Sequence, residues 1–82
     1  MDAEKYKKIA LVAQKISFAF EDSYTDIEKR ELFNNLFNKY LMQIDPEEKM
    51  EPYDAIIQLG DKEPRQFENL VKEMEKFNLI ED

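Results

Sequence analysis

Residues 20–28 read FEDSYTDIE, and whether this stretch is a binding loop or a turn between two helices decides the fold on either side of it. Four of the nine residues are carboxylates, Glu21, Asp22, Asp26 and Glu28, and Tyr24 stands between the hydroxyls of Ser23 and Thr25. Such a grouping resembles a ligand site, but a turn accounts for more of it. Thr25 followed three residues later by Glu28 is a capping box, in which the hydroxyl accepts from the third helical amide and the carboxylate reaches back to the cap amide. Asp26 and Glu28 also sit at the positive end of the helix dipole. Glu21 and Asp22 then close the preceding helix, where negative charge is mildly unfavourable unless a cation stands nearby.

Upstream of the turn, Tyr6, Ile9, Ala13, Ile16 and Phe20 step by three and four, which predicts a helix over 3–21. Downstream, Leu32, Phe33, Leu36, Phe37, Tyr40 and Ile44 form a broad apolar face of a helix over 26–43, with Glu31, Asn34, Asn35, Asn38 and Lys39 opposite. A face this wide touches two neighbours. Pro46 and Pro52 each suit a first helical turn, Gly60 suits a position just past a helix end, and Asp61 with Pro64 suits another start. They predict a short helix over 52–59. Phe67, Leu70, Val71, Met74 and Phe77 then mark a last helix over 64–78. With one glycine, three prolines, no Asn-Gly or Asp-Gly turn and no alternating Val, Ile and Thr, strands are not expected. The expected fold is all-α, a small compact bundle of three long helices plus one short helix in a single domain over 1–82.

An 82-residue chain buries about 60–65% of its unfolded surface, enough for a modest core without staples. The absence of cysteine excludes disulfides and thiolate zinc sites. An apolar fraction of 43% beside 38% charged residues fits a helical protein with a heavily solvated exterior. The opening DAEKYKK leads into no signal peptide, and no segment approaches about 18 consecutive apolar residues. The expectation is a soluble, cytoplasmic protein, with no membrane partner and with its natural start and end both present.

Charge is unevenly spread. Residues 1–20 carry four lysines against two acids, residues 21–63 carry 12 acids against five bases, and residues 64–82 carry five acids against three bases. The acidic middle opposes direct binding to a phosphate backbone, which depends on Lys and Arg displacing counterions. It suits a basic protein partner.

Catalytic chemistry is poorly supplied. With no His and no Cys, the usual general base and thiolate are missing, and only Ser17, Ser23 and Thr25 offer aliphatic hydroxyls. Ser17 falls on the apolar side of the first helix, where its hydroxyl is expected to bond back to the preceding turn. One glycine cannot build a phosphate loop. A calcium loop started at Asp22 places Ile27 where glycine belongs and Phe33 where the bidentate Glu belongs, and one started at Asp45 places Met50 at the glycine. No cofactor, metal or catalytic residue is assigned.

The more specific feature lies on the first helix. At 100° per residue, Leu11 and Phe18 fall on nearly one line, opposite the stripe of Ile9, Ala13 and Ile16 and flanked by Lys7, Lys15 and Asp22. Two large apolar side chains on a charged face call for a cover: either the proline-bearing segment 45–60 folding back over them, or another protein molecule. Among the aromatics, Phe33, Phe37, Phe67 and Phe77 are assigned to the core. Tyr6, Tyr24, Tyr40 and Tyr53 are expected to keep a hydroxyl in water at its edge.

These features point to a non-catalytic, acidic protein–protein interaction or regulatory module whose expected partner is another protein, with a basic one suiting its charge, or itself as a homodimer. Leu11 and Phe18 are its apolar anchors. The alternative is a nucleic-acid-mimicking inhibitor that presents Glu21, Asp22, Asp26, Glu47, Glu48, Glu51 and Asp54 to a basic groove.

Overall fold

In a computed structural model, which describes residues 2–81, four α-helices follow in order: α1 (Ala3–Asp22), α2 (Ile27–Leu41), α3 (Pro52–Lys62) and α4 (Pro64–Lys76). No strand occurs among the described residues. The fold is the expected all-α bundle, with element ends displaced by no more than three residues from the sequence-based bounds.

Helix α1 starts at Asp2, whose carboxylate accepts from the Lys5 amide at 2.8 Å, one of the donors a helix start leaves unpaired. It buries Ile9, Ala13 and Ile16. Ser23 closes it, with its amide donating to Ala19 O at 3.1 Å and its hydroxyl to Phe20 O at 2.6 Å. The turn then consumes one residue more than the capping box allows, because the Asp26 amide donates back to Ser23 O at 2.9 Å. Asp26, not Thr25, is therefore the cap of α2, its carboxylate accepting from the Lys29 amide at 3.1 Å, and Thr25 is an exposed turn residue.

Helix α2 turns Phe33, Leu36, Phe37, Tyr40 and Leu41 inward and lies against both α3 and α4, the two neighbours its broad face predicts. It ends at Leu41, so Ile44 packs from the following turn. The loop 42–51 is wound around Asp45, whose carboxylate accepts from the Lys49 amide at 2.9 Å and the Met50 amide at 2.7 Å. Pro46 lies in this loop and starts no helix.

Gly60 does not end α3. It is a buried residue inside the helix, which runs on to Lys62, and its lack of a side chain lets α3 lie close on α1: a Cβ there would stand 2.7 Å from Ile9 Cγ2 and 2.9 Å from Ile9 Cδ1. Pro64 supplies the stop, since its ring disfavours helical geometry at the preceding residue. Glu63 is accordingly non-helical, at φ −134° and ψ 69°, and is the single residue between α3 and α4. Asp61, expected before a helix start, is inside α3.

The shortest helix is the hub of the bundle. α3 packs on α1, α4 and α2, and Ile56 and Leu59 at its centre are fully buried. The described chain measures 37 × 29 × 18 Å. An 18 Å thickness is two helix layers with interaxial spacing of about 8–10 Å, so each helix keeps one face in solvent.

Helix α4 buries Leu70 and Met74 and closes in a Schellman motif. Asn78 takes the left-handed conformation at φ 58°, its amide donates to Glu75 O at 3.0 Å, and the Leu79 amide donates to Met74 O at 2.8 Å. The reversal returns Leu79 and Ile80 to the core, while Phe77, assigned to the core by its spacing, is 40% exposed.

Candidate interaction surface

Leu11 and Phe18 remain uncovered by the chain, with 59% and 57% of their surface exposed, while Ile9, Ala13 and Ile16 on the same helix are at most 5% exposed. The possibility that segment 45–60 folds back over them is not realised. The reason is geometric. That segment carries Ile56, Ile57 and Leu59, and it buries them as α3 against the Ile9 face of α1, as the approach of Gly60 to Ile9 records. A helix docked there cannot also reach the opposite side of α1.

The candidate carboxylates divide by location. Glu21 and Glu51 line a hollow of about 300 Å³ together with Ser17, Phe20, Pro52 and Tyr53. A second hollow of about 200 Å³ shares Phe20 and Pro52 with it and is walled by Phe37, Met42, Met50 and Glu48. The two form one groove between the end of α1, the loop 42–51 and the start of α3, and the fold brings Glu21, Glu48 and Glu51 to it from distant points of the chain. Asp22 and Asp26 border a different hollow, of about 410 Å³, with Thr25, Lys29 and Leu79. Glu47 and Asp54 line neither. Glu47 pairs with Lys49 at 2.8 Å, and Asp54 occupies the first turn of α3, where the helix dipole favours it.

The electrostatics of the C-terminal end of α1 stay unbalanced among the described residues. Its last turn contains Glu21 and Asp22 and no base. The ion pairs found among the described residues, Lys39–Glu73 and Lys49–Glu47, involve neither acid. Lys29 lines the same hollow as Asp22 without pairing with it, and Arg30 lies over the Phe20 ring at 3.9 Å from its centroid, a cation–π contact. Lys7 and Lys8 stand exposed at the other end of the helix, so α1 is a dipolar rod with an apolar stripe between its charges.

Two polar groups depart from the sequence-based expectation. The Ser17 hydroxyl does not bond to the preceding turn; its oxygen is buried without a hydrogen-bond partner in the wall of the Glu21 hollow. Tyr40 is buried, not at the water edge, and its phenol donates to Glu73 Oε2, which also accepts Lys39 Nζ at 3.0 Å. Those two hydrogen bonds, Tyr40 first and then Lys39, hold the Glu73 carboxyl below its ordinary pKa. Burial, and then the same hydrogen bond, pushes the Tyr40 phenol up. This trio joins α2 to α4 and lines none of these three hollows. Spacing sets Glu73 off the apolar stripe of Leu70, Val71 and Met74 and sets Tyr40 at a water edge, so only the packing of the two helices selects the pairing.

Among the described residues, no group of three or more acids is placed to hold a metal ion, and no helix is long and apolar enough to cross a membrane. Compared with protein-family models, curated proteins and solved structures, the chain matches none, so its surface is read from geometry and chemistry.

Proposed function

We propose that this chain is a small acidic, non-catalytic protein–protein interaction or regulatory module of the cytoplasm, working through the outward face of α1. The observation that carries this reading is the exposure of Leu11 and Phe18, 59% and 57%, on the side of α1 that no other part of the described chain covers. Large apolar side chains ringed by charge are the usual centre of a recognition patch, with the charged rim setting orientation and encounter rate. Leu11→Asp and Phe18→Asp test the reading. Each variant keeps the helical circular dichroism of the wild type, because neither residue is in the core, and each loses binding in a pull-down against the wild-type binding set. Retention of every bound protein by both variants would remove α1 as the interaction face.

A second reading, the nucleic-acid mimic, draws on the meeting of Glu21, Glu48 and Glu51 at one groove. It requires steeply salt-dependent binding to basic nucleic-acid-binding proteins. Failure to bind any of a panel of them at low salt sinks it.

A further inference from the structure

We infer that the partner of the α1 face is a second copy of this chain, docked antiparallel on α1 about a two-fold axis that passes between residues 14 and 15. The inference deepens the interaction reading above and rests on it.

Three features of α1 meet in this arrangement. The apolar stripe is self-complementary: positions 11 and 18 are equidistant from the axis, so Leu11 of one copy faces Phe18 of the other, twice, as an isologous interface requires. The charges are complementary end to end. At 100° and 1.5 Å per residue, Lys7 and Glu21 lie on one flank of the stripe and Lys8 and Asp22 on the other. Antiparallel reversal therefore sets Lys7 beside Glu21 of the second copy and Lys8 beside its Asp22, on matching flanks and within about one residue of the same height. A parallel pair would instead set lysine against lysine and acid against acid.

The third feature is the unmet charge at the helix end. Glu21 and Asp22 occupy a C-terminal turn with no base, and the second copy supplies two cations there, where they also complement the helix dipole. Gln14 meets its own symmetry mate near the axis, amide to amide. Lys15, on the opposite flank, would approach its mate, but its ammonium is drawn away from the seam to the Glu81 carbonyl. The residues on this seam are exposed in the single chain, so no rearrangement is needed to form it.

One helix pair buries less than the roughly 1,600 Å² of a standard interface, so the dimer is expected to be weak, with a dissociation constant of tens to hundreds of micromolar. It weakens further as salt screens the four ion pairs.

Sedimentation equilibrium and cysteine cross-linking test the arrangement. Lys7→Glu with Lys8→Glu, and separately Glu21→Lys with Asp22→Lys, each raise the dissociation constant about tenfold or more, whereas an equimolar mixture of the two variants forms a heterodimer. Because the chain has no cysteine, single replacements read the geometry directly. Leu11→Cys mixed with Phe18→Cys gives an 11-to-18 disulfide, Gln14→Cys cross-links to itself, and Leu11→Cys alone does not. A wild-type chain that stays monomeric at the highest attainable concentration overturns the dimer, as does an 11-to-11 disulfide that forms faster than the 11-to-18 one. In either case the interaction reading is judged separately, by whether Leu11→Asp abolishes capture of a different protein.

Discussion

Tyr40 on α2 donates its phenolic hydrogen to Oε2 of Glu73 on α4, and the same oxygen accepts Lys39 Nζ at 3.0 Å. It is the clearest polar link between two helices that otherwise meet through apolar side chains, and it fixes how α4 lies on α2. Tyr40→Phe keeps the ring in the core and removes the donor, so the expected loss is about 1–2 kcal/mol, the range for a hydrogen bond to a charged group whose acceptor still reaches water. Urea denaturation with an unchanged slope checks it; a loss near zero would show that the hydroxyl does not join the helices.

The same trio gives acid stability a definite sign. The folded pKa of Glu73 is depressed, so its contribution is complete above the ordinary glutamate value of about 4.3. It is lost as pH falls through the lower folded value. For Tyr40 the folded value is raised, so its contribution is complete below the ordinary tyrosine value of about 10 and is lost as pH rises through the folded value. Glu73→Gln is therefore less stable than the wild type at neutral pH, and the gap narrows on acidification below about pH 4. A gap that stays constant from pH 7 to pH 2 would remove Glu73 from this account.

Gly60→Ala is expected to destabilise despite the better helix propensity of alanine. Propensity offers up to about 1 kcal/mol, but the new methyl would stand 2.7 Å from Ile9 Cγ2 and 3.0 Å from Ile9 Cγ1, and overpacking of this kind costs about 1–3 kcal/mol. In an Ile9→Ala background those atoms are gone, and the same substitution becomes stabilising. A double-mutant cycle measures the reversal; equal effects in both backgrounds would mean that the two helices separate freely.

The cap of α2 is decided by two single substitutions. Asp26→Ala removes the acceptor of the Lys29 amide and costs about 1 kcal/mol. Thr25→Ala, at an exposed turn position, stays within about 0.5 kcal/mol. The opposite order would restore Thr25 as the cap.

Asn78 holds the left-handed turn that returns Leu79 and Ile80 to the core. Asn78→Gly relieves the backbone and is neutral to mildly stabilising, whereas Asn78→Ala costs about 1 kcal/mol because its Cβ disfavours that region. Thermal melts of the two variants should separate by several degrees, Gly above Ala.

Much of this was legible in the residues themselves. The stepping of Ile9, Ala13 and Ile16, and of Leu70 and Met74, marks the buried faces because burial on a helix must repeat every three to four residues. The outward line of Leu11 and Phe18 follows from the same arithmetic. Local chemistry also placed Pro52 and Pro64 at helix starts, where a missing amide hydrogen costs nothing.

Tertiary structure decided the rest, for reasons no local rule contains. Gly60 reads as a helix end by its backbone freedom, and only the closeness of α1 makes the missing Cβ its use inside a helix. Thr25 has the better capping pattern, yet the turn geometry that joins α1 to α2 hands the role to Asp26. Tyr40 is buried because an acid on a distant helix arrives to take its hydrogen, and Phe77 is exposed because Asn78 reverses the chain one residue later. The stretch 20–28 shows the division most plainly. Periodicity on either side determined that it is a turn, since both flanks are helical. Which of its carboxylates face a shared groove was fixed by the docking of α3 on α1, because that packing alone brings Glu48 and Glu51 to Glu21 and leaves Asp22 and Asp26 on another side.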